Sequence, residues 1–290
     1  MLSTVHLLLL VATLGAPNAG PGAALAADLP PDEAPSRAGD VRAAPNYEAA
    51  LDSLLSAVVG EDGLVRYDLL QGDLNLSFRQ ILKAVEDYDG SLEGVDEKLA
   101  FWMNAYNVQM LQNVIENPQV DNIVDDGYAD RFFKTPFLTA RRSLTLDEIE
   151  HVVLRADRPD SEHASLALPA IDARIHVGVN CAAVSCPSLR RRAFTPGNVD
   201  DELERALQDF VDDERHFRVV DQTLVVSSLV DWFGDDFSRL GSPFGTWLAK
   251  RMRSTRPAAL RRRLCGKSVD DLRQDSGVRF EYDWTVNSAR

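Results

Sequence analysis

The run Leu99-Ala100-Phe101-Trp102-Met103-Asn104-Ala105-Tyr106-Asn107-Val108-Gln109-Met110-Leu111-Gln112-Asn113-Val114-Ile115 contains no charged side chain, and its polar positions are nearly all amides. A helix that is apolar around most of its circumference is buried, so the amides Asn104, Asn107, Gln109, Gln112 and Asn113 must find partners inside the protein. The pattern predicts a buried central helix over Val95–Asn117, closed by Asn117-Pro118. Working outward, Leu51, Leu54, Leu55 and Val58 recur at helical spacing from Tyr47 up to the stop at Gly60, and a second helix is expected from Asn75 to Tyr88.

Beyond the central helix, Phe132 to Leu144 reads as extended chain with a turn at Ala140-Arg141. Thr145-Leu146-Asp147-Glu148 then matches a capping box that opens a short helix carrying Ile149, His151, Val152 and Leu154. Ile171 to Asn180 alternates as a strand should, with Ile175, Val177 and Val179 on one face and His176, Gly178 and Asn180 on the other. A helix from Asn198 to Asp212 follows, then a hairpin of Phe217–Val220 and Leu224–Val226 turning at Asp221-Gln222. Short helices fill Leu229 to Arg263, and Val278 to Val286 is expected as a closing strand. Helices and strands mix without a βαβ rhythm, and no GxGxxG or phosphate loop is present. The expected class is α+β, with an antiparallel sheet packed against the buried central helix.

The first 27 residues carry no Asp, Glu, Lys or Arg, and Leu7-Leu8-Leu9-Leu10-Val11-Ala12 forms an apolar stretch too short to span a bilayer. With the small-residue pattern Ala24-Leu25-Ala26, this predicts a signal peptide over 1–26 and export to the periplasm or the exterior. Residues 27–46, rich in Pro, Asp and Ala, are expected as a flexible leader, and 47–290 as a single domain without a transmembrane segment. A net charge of −14 argues against a nucleic-acid partner, and the runs Arg190–Arg192 and Arg261–Arg263 read as solvated edges. Asn75-Leu76-Ser77 fits a glycosylation acceptor, which matters only in a eukaryotic secretory route.

Reactive side chains concentrate in His176-Val177-Gly178-Val179-Asn180-Cys181-Ala182-Ala183-Val184-Ser185-Cys186-Pro187, which holds two of the three cysteines and one of the five histidines. A thiol attacks as thiolate, which a neighbouring imidazole or a helix N-terminus favours. Three readings of these residues stand side by side. Cys181 or Cys186 is a nucleophile served by His176; the two cysteines form a disulfide, leaving Cys265 free; or they are inert buried thiols. Zinc is a weaker option because His-x4-Cys-x4-Cys is not an ordinary ligand spacing, and neither metal nor cofactor is expected. Asp231, Asp235 and Asp236 form no EF-hand pattern, and Trp232 and Phe233 among them read as core.

Four separated segments, Lys98–Asn107, Leu144–His151, His176–Pro187 and Tyr282-Asp283-Trp284, resemble in order and spacing the family called domain of unknown function 547. Bacterial members of that family have been likened to papain-like or transglutaminase-like cysteine hydrolases. The resemblance therefore implies a fold of that kind and a cysteine-dependent hydrolase or acyl transferase acting on amide, peptide or γ-glutamyl bonds of a small peptide or amide substrate, while the disulfide reading makes the chain a non-catalytic exported binding module. Carried onto this chain, it points to Cys181, Cys186, His176 and Asn104 as a catalytic set, with Asn104 orienting the imidazole or meeting an oxyanion. Asn107, His151 and Asn180 join as binding residues, and Cys181 is preferred slightly over Cys186 as nucleophile.

Overall fold

The uncharged run forms one continuous helix, Val95–Glu116, in a computed structural model that describes residues 47–89 and 92–289. The expected signal peptide and leader lie outside the described residues. Asp96 and Glu97 stand in the first turn, where negative charge suits the helix dipole, and the Glu97 carboxylate accepts from the backbone N–H of Gly94 at 3.1 Å. From Leu99 to Val108 every side chain is buried. The amides behave as burial requires, since Asn104, Asn107 and Asn113 each bond the backbone of a distant segment.

The main neighbours of this helix are other helices, among them Tyr67–Gln71, Asn75–Glu86 and Val199–Asp212, together with the turns at 146–154. The expected antiparallel sheet against the central helix is therefore corrected. The strands make two small sheets, a hairpin of β1 (Phe137–Thr139) and β2 (Arg142–Leu144), and a three-stranded sheet in the order β3 (Phe217–Val220), β4 (Thr223–Ser227), β5 (Val278–Glu281). β3 and β4 are antiparallel, but β5 returns from a long helical excursion to pair with β4 in parallel. Both hairpins turn through two residues with positive φ, Ala140 and Arg141 in one, Asp221 and Gln222 in the other, the geometry that matches the twist of the flanking strands. The α+β class stands.

Two hydrophobic clusters make up the interior. The first surrounds the central helix and includes Phe78, Trp102, Tyr106, Phe132 and Phe194. The second joins Phe217, Leu224 and Val226 of the sheet to Phe237, Phe244 and Leu248 of the short helices. The amphipathic helix Val199–Asp212 serves both, sending Val199 and Leu203 into the first and Leu207, Phe210 and Val211 into the second.

The segment expected as the best strand crosses the same seam, and it is not a strand. Ile175–Gly178 is one turn of helix, with Ile175 and Val179 in the first cluster and Val177 in the second. Alternation of apolar residues over so short a run fits burial on two sides equally well. Asp172 decides locally, because its carboxylate accepts from the backbone N–H of Arg174 at 2.9 Å and turns the chain before a strand can start. Gly178 permits the fit, since a Cβ there would stand 2.7 Å from Met103 Sδ and 2.8 Å from Leu203 Cδ2.

Candidate active site

At this seam lies a cavity of about 110 Å³, lined by Tyr106, Phe133, Glu150, His176, Val179, Cys181, Cys186, Leu229, Trp232, Phe233, Tyr282 and Trp284. Phe133 and the short helix Ser228–Trp232 with Phe233 supply part of the apolar wall, and four other parts of the fold complete it. Tyr106 comes from the central helix, and Glu150 from a π-helical turn, Ile149–Leu154, whose extra residue per turn is a geometry often found at functional sites. His176 and the thiols come from the one-turn helix and the loop after it. Tyr282 and Trp284 come from the C-terminal segment, which lies along the cysteine loop through Val184 N–H to Thr285 O at 2.8 Å and Ser185 N–H to Asp283 O at 3.1 Å.

The loop is held by amides. Asn107 grips both sides of its start, donating to Gly178 O at 3.0 Å and accepting from Asn180 N–H at 2.8 Å. Asn180 in turn donates to Pro187 O at 2.8 Å and accepts from Ala182 N–H at 2.9 Å, closing a turn around both cysteines. Ala182 takes a positive φ of 60° inside that turn. Asn107 and Asn180 are thus structural organisers of the site, with both ends of each amide committed.

His176 is buried, stacked on Phe233 at 3.9 Å between ring centroids, and its Nε2 stands 2.8 Å from Asp236 Oδ2. A carboxylate only accepts, so Nε2 carries a proton, and in the neutral ring Nδ1 presents the lone pair. Nδ1 has no hydrogen-bond partner and lies 4.0 Å from Glu150 Oε1. Asp236 also accepts from Arg155 Nε at 2.8 Å. Burial raises the Asp236 carboxyl, but the His176 and Arg155 hydrogen bonds prevail and hold it down to about 2, so it is ionised at any ordinary pH.

The two thiols are free, and each shifts the ionisation of the other. Their environments differ. The Cys181 backbone N–H points at Cys186 Sγ from 2.8 Å, while the Tyr282 hydroxyl lies 2.9 Å from Cys181 Sγ. Burial pushes the Cys181 thiol well above its usual range, and its hydrogen bond to Cys186 adds to that. Burial also works to raise Cys186, yet donation from the Cys181 thiol, the Cys181 N–H and Tyr282 brings it below the usual value. These bonds favour Cys186, rather than Cys181, as the sulfur that ionises. Tyr282 is itself pushed up by burial and the adjacent thiols, so its phenol stays a donor.

The other expected site residues fall elsewhere. Asn104 donates to Phe194 O at 2.7 Å and accepts from Phe194 N–H at 3.0 Å, which ties down the 193–195 segment, and it does not line the cavity. His151 lies one step behind the site, its Nδ1 2.8 Å from the Arg155 Nη1 that belongs to the guanidinium bonded to Asp236. Reading the sequence missed Asp236, whose only signal was the acidic cluster of Asp231, Asp235 and Asp236. It missed Glu150 and Tyr282 as well, although both stand within segments that carried the family resemblance. Trp232, expected in the core, is 46% exposed at the cavity and stacks on Trp284 at 5.5 Å. Among the described residues, the cluster with metal-ligand geometry is Glu148, Glu162 and His163, none of which lines this cavity.

Fold and site together define a class: an α+β chain that gathers two thiols, an imidazole and a carboxylate around one largely apolar cavity, with a second carboxylate bonded to the imidazole. Residues 91–211 match the model of the family described as protein of unknown function, DUF547. That span contains the central helix, the Glu150 turn, His176 and both site cysteines, whereas Asp236 and Tyr282 lie beyond it. No curated protein and no solved structure matches the chain. Among the described residues, no helix is long and apolar enough to cross a membrane.

Proposed function

We propose that the protein is a cysteine-dependent hydrolase or acyl transferase acting on a small peptide or amide, with Cys186 as nucleophile, His176 as general base and acid, and Asp236 as the group that orients the imidazole. The observation that carries this reading is the His176–Asp236 bond. It fixes which tautomer the neutral ring adopts, the one that leaves Nδ1 as the base, buried and unpartnered in the wall of a cavity that also holds both thiols.

In the proposed cycle the Cys186 thiol gives its proton to His176 Nδ1, and the sulfur attacks the carbonyl carbon of the substrate. Asp236 stabilises the imidazolium without taking its proton. Collapse of the tetrahedral adduct breaks the C–N bond, and Nδ1–H protonates the departing amine. Water or an acceptor amine then loses a proton to Nδ1 while attacking the thioester, and Cys186 leaves as the thiol. Asn104 is committed to Phe194, so the hydroxyl of Tyr282 replaces it as the donor for the oxyanion. The likeness to papain-like or transglutaminase-like enzymes belongs to the same proposal and is supported by this combination of thiol, imidazole and carboxylate.

One observation favours a second reading. The Cys181 N–H donates to Cys186 Sγ at 2.8 Å, which brings the two cysteines together as they would stand before closing into a disulfide, and that would make the chain a non-catalytic exported binding module. Intact-mass analysis of the unreduced protein, before and after brief iodoacetamide treatment, separates the two. Catalysis expects fast labelling of one site, lost in Cys186→Ser and slowed at least tenfold in His176→Ala. A mass lighter by two hydrogens, with no labelling of either site cysteine until reduction, overturns the enzymatic reading.

A further inference from the structure

We infer that the cavity is a receptor for an alkylammonium group, so that the substrate or acyl acceptor of the proposed reaction carries a protonated amine held by Glu150 against an aromatic wall. The inference rests on the functional reading above only for the word substrate; the binding itself does not need the thiols.

Two carboxylates face the His176 ring from opposite sides, and only one has a cation. Asp236 is paired with the Arg155 guanidinium at 2.8 Å. Arg155 is also committed to Asp157 and to the face of Phe233, at 5.2 Å from the ring centroid. Glu150 has no such partner. Its Oε2 accepts from the Tyr106 hydroxyl at 3.3 Å, and its Oε1 lies 4.0 Å from Nδ1 of His176. No Lys or Arg of the described residues lies within ion-pair distance of it, yet its side chain is only 14% exposed. A ligand cation entering the cavity would meet a carboxylate that no Lys or Arg of the described residues neutralises.

The walls suit the same ligand. Trp232, Tyr282 and Trp284 form a continuous cluster, with centroid separations of 4.9 Å, 4.5 Å and 5.5 Å. Tyr106 adds a fourth ring from the central helix. Aromatic faces around one carboxylate attract ammonium groups through the ring quadrupole and disfavour anions. The exposed Trp232 leaves the cluster open to solvent on one side. A volume of about 110 Å³ has room for roughly three or four water volumes, which is the size of a short alkylammonium or the end of a lysine side chain.

The test uses n-butylammonium chloride as probe and n-pentanol, one carbon longer, as its neutral counterpart. Both are titrated into the full chain at constant ionic strength with tryptophan fluorescence as readout, because Trp232 and Trp284 line the site. The expected result is saturable binding of n-butylammonium at least tenfold tighter than n-pentanol. That preference should vanish in Glu150→Gln and fall severalfold in Trp232→Ala, an exposed position where folding is not at risk. Cys186→Ser should bind the amine like the unmodified chain, so loss of thiol reactivity and loss of amine binding are read separately. Equal or tighter binding of n-pentanol, a preference that survives in a folded Glu150→Gln, or no saturation by n-butylammonium overturns the inference. The comparison of the two probes on the unmodified chain decides the matter even if Glu150→Gln fails to fold.

Discussion

Two histidines among the described residues are buried, and they sit in opposite circumstances. His176 and His216 are 3% and 1% exposed, each lies against a phenylalanine ring, and each has an Nδ1 without a hydrogen-bond partner. His216 is packed on Phe210 at 4.4 Å just ahead of β3, where burial drives its pKa down to about 3 despite the pull of Asp213, and it borders no cavity described above. His176 has an ionised carboxylate on one nitrogen and, on the other, a cavity shared with two thiols. Burial and an orphaned ring nitrogen are therefore common to a packing histidine and to a candidate base. What separates them is a partner that fixes the tautomer and a space into which the free nitrogen can work.

Removing that partner should have the largest effect. Asp236→Ala leaves the Arg155 guanidinium and the His176 ring facing each other without the charge between them, and breaking a buried pair in this way costs about 3–5 kcal/mol. A urea melt at pH 7 should show the loss in full. Asp236→Asn keeps the acceptor and the shape, so it should fold while slowing iodoacetamide labelling of Cys186 at least tenfold. If Asp236→Asn labels at the unaltered rate, His176 is no more a base than His216.

The contrast also explains what could be read beforehand. The central helix was legible from Leu99 to Ile115, because an uncharged run of that length admits one conformation and one environment. The hairpin at Asp221-Gln222 and the capping box at Thr145 were legible for similarly local reasons. Ile175–Gly178 was misread since it is buried on two sides, where alternation loses its meaning, and an Asx-type turn at Asp172 settles the backbone. Of the site, His176 and the cysteines were found through their chemistry. Asp236 lies 60 residues from His176 in a chain rich in acidic residues, and only the fold distinguishes it from Asp231 or Asp235. Asn104 was misplaced for the converse reason, since a buried amide on the central helix has the same signature whether it serves a loop backbone or a substrate.

His216 supplies the next largest effect, and it tests the packing side of the comparison. With its folded pKa near 3 and an unfolded value near 6.5, the unfolded chain binds the extra proton at every pH between them. Its contribution to stability is therefore complete above about pH 6.5 and is lost as pH falls toward 3, at up to about 1.4 kcal/mol per unit. Between pH 7 and pH 5 this amounts to about 2 kcal/mol, measurable by denaturant unfolding at the two values. His216→Asn should flatten that slope and leave the labelling rate of Cys186 untouched. A slope that persists in His216→Asn would mean that another group titrates there and that the buried imidazole is not the acid-sensitive element.

The smallest effect belongs to Tyr282, and it separates the two sulfurs. Its hydroxyl is the donor at 2.9 Å from Cys181 Sγ and helps to lower Cys186, whereas its ring packs against Trp232 and Trp284. Tyr282→Phe deletes the donor and keeps the ring, so stability should change by no more than about 1 kcal/mol. A hydrogen bond to a charged sulfur contributes about 1.5–3 kcal/mol in a buried setting, but here the Cys181 N–H and thiol remain to share the load. The labelling rate of Cys186 at pH 7 should accordingly fall only severalfold, with the midpoint of its pH profile moving upward. Labelling that moves instead to Cys181 would show that the phenol, not the Cys181 N–H, selects which thiol ionises, and Cys181 would then take over the role of nucleophile.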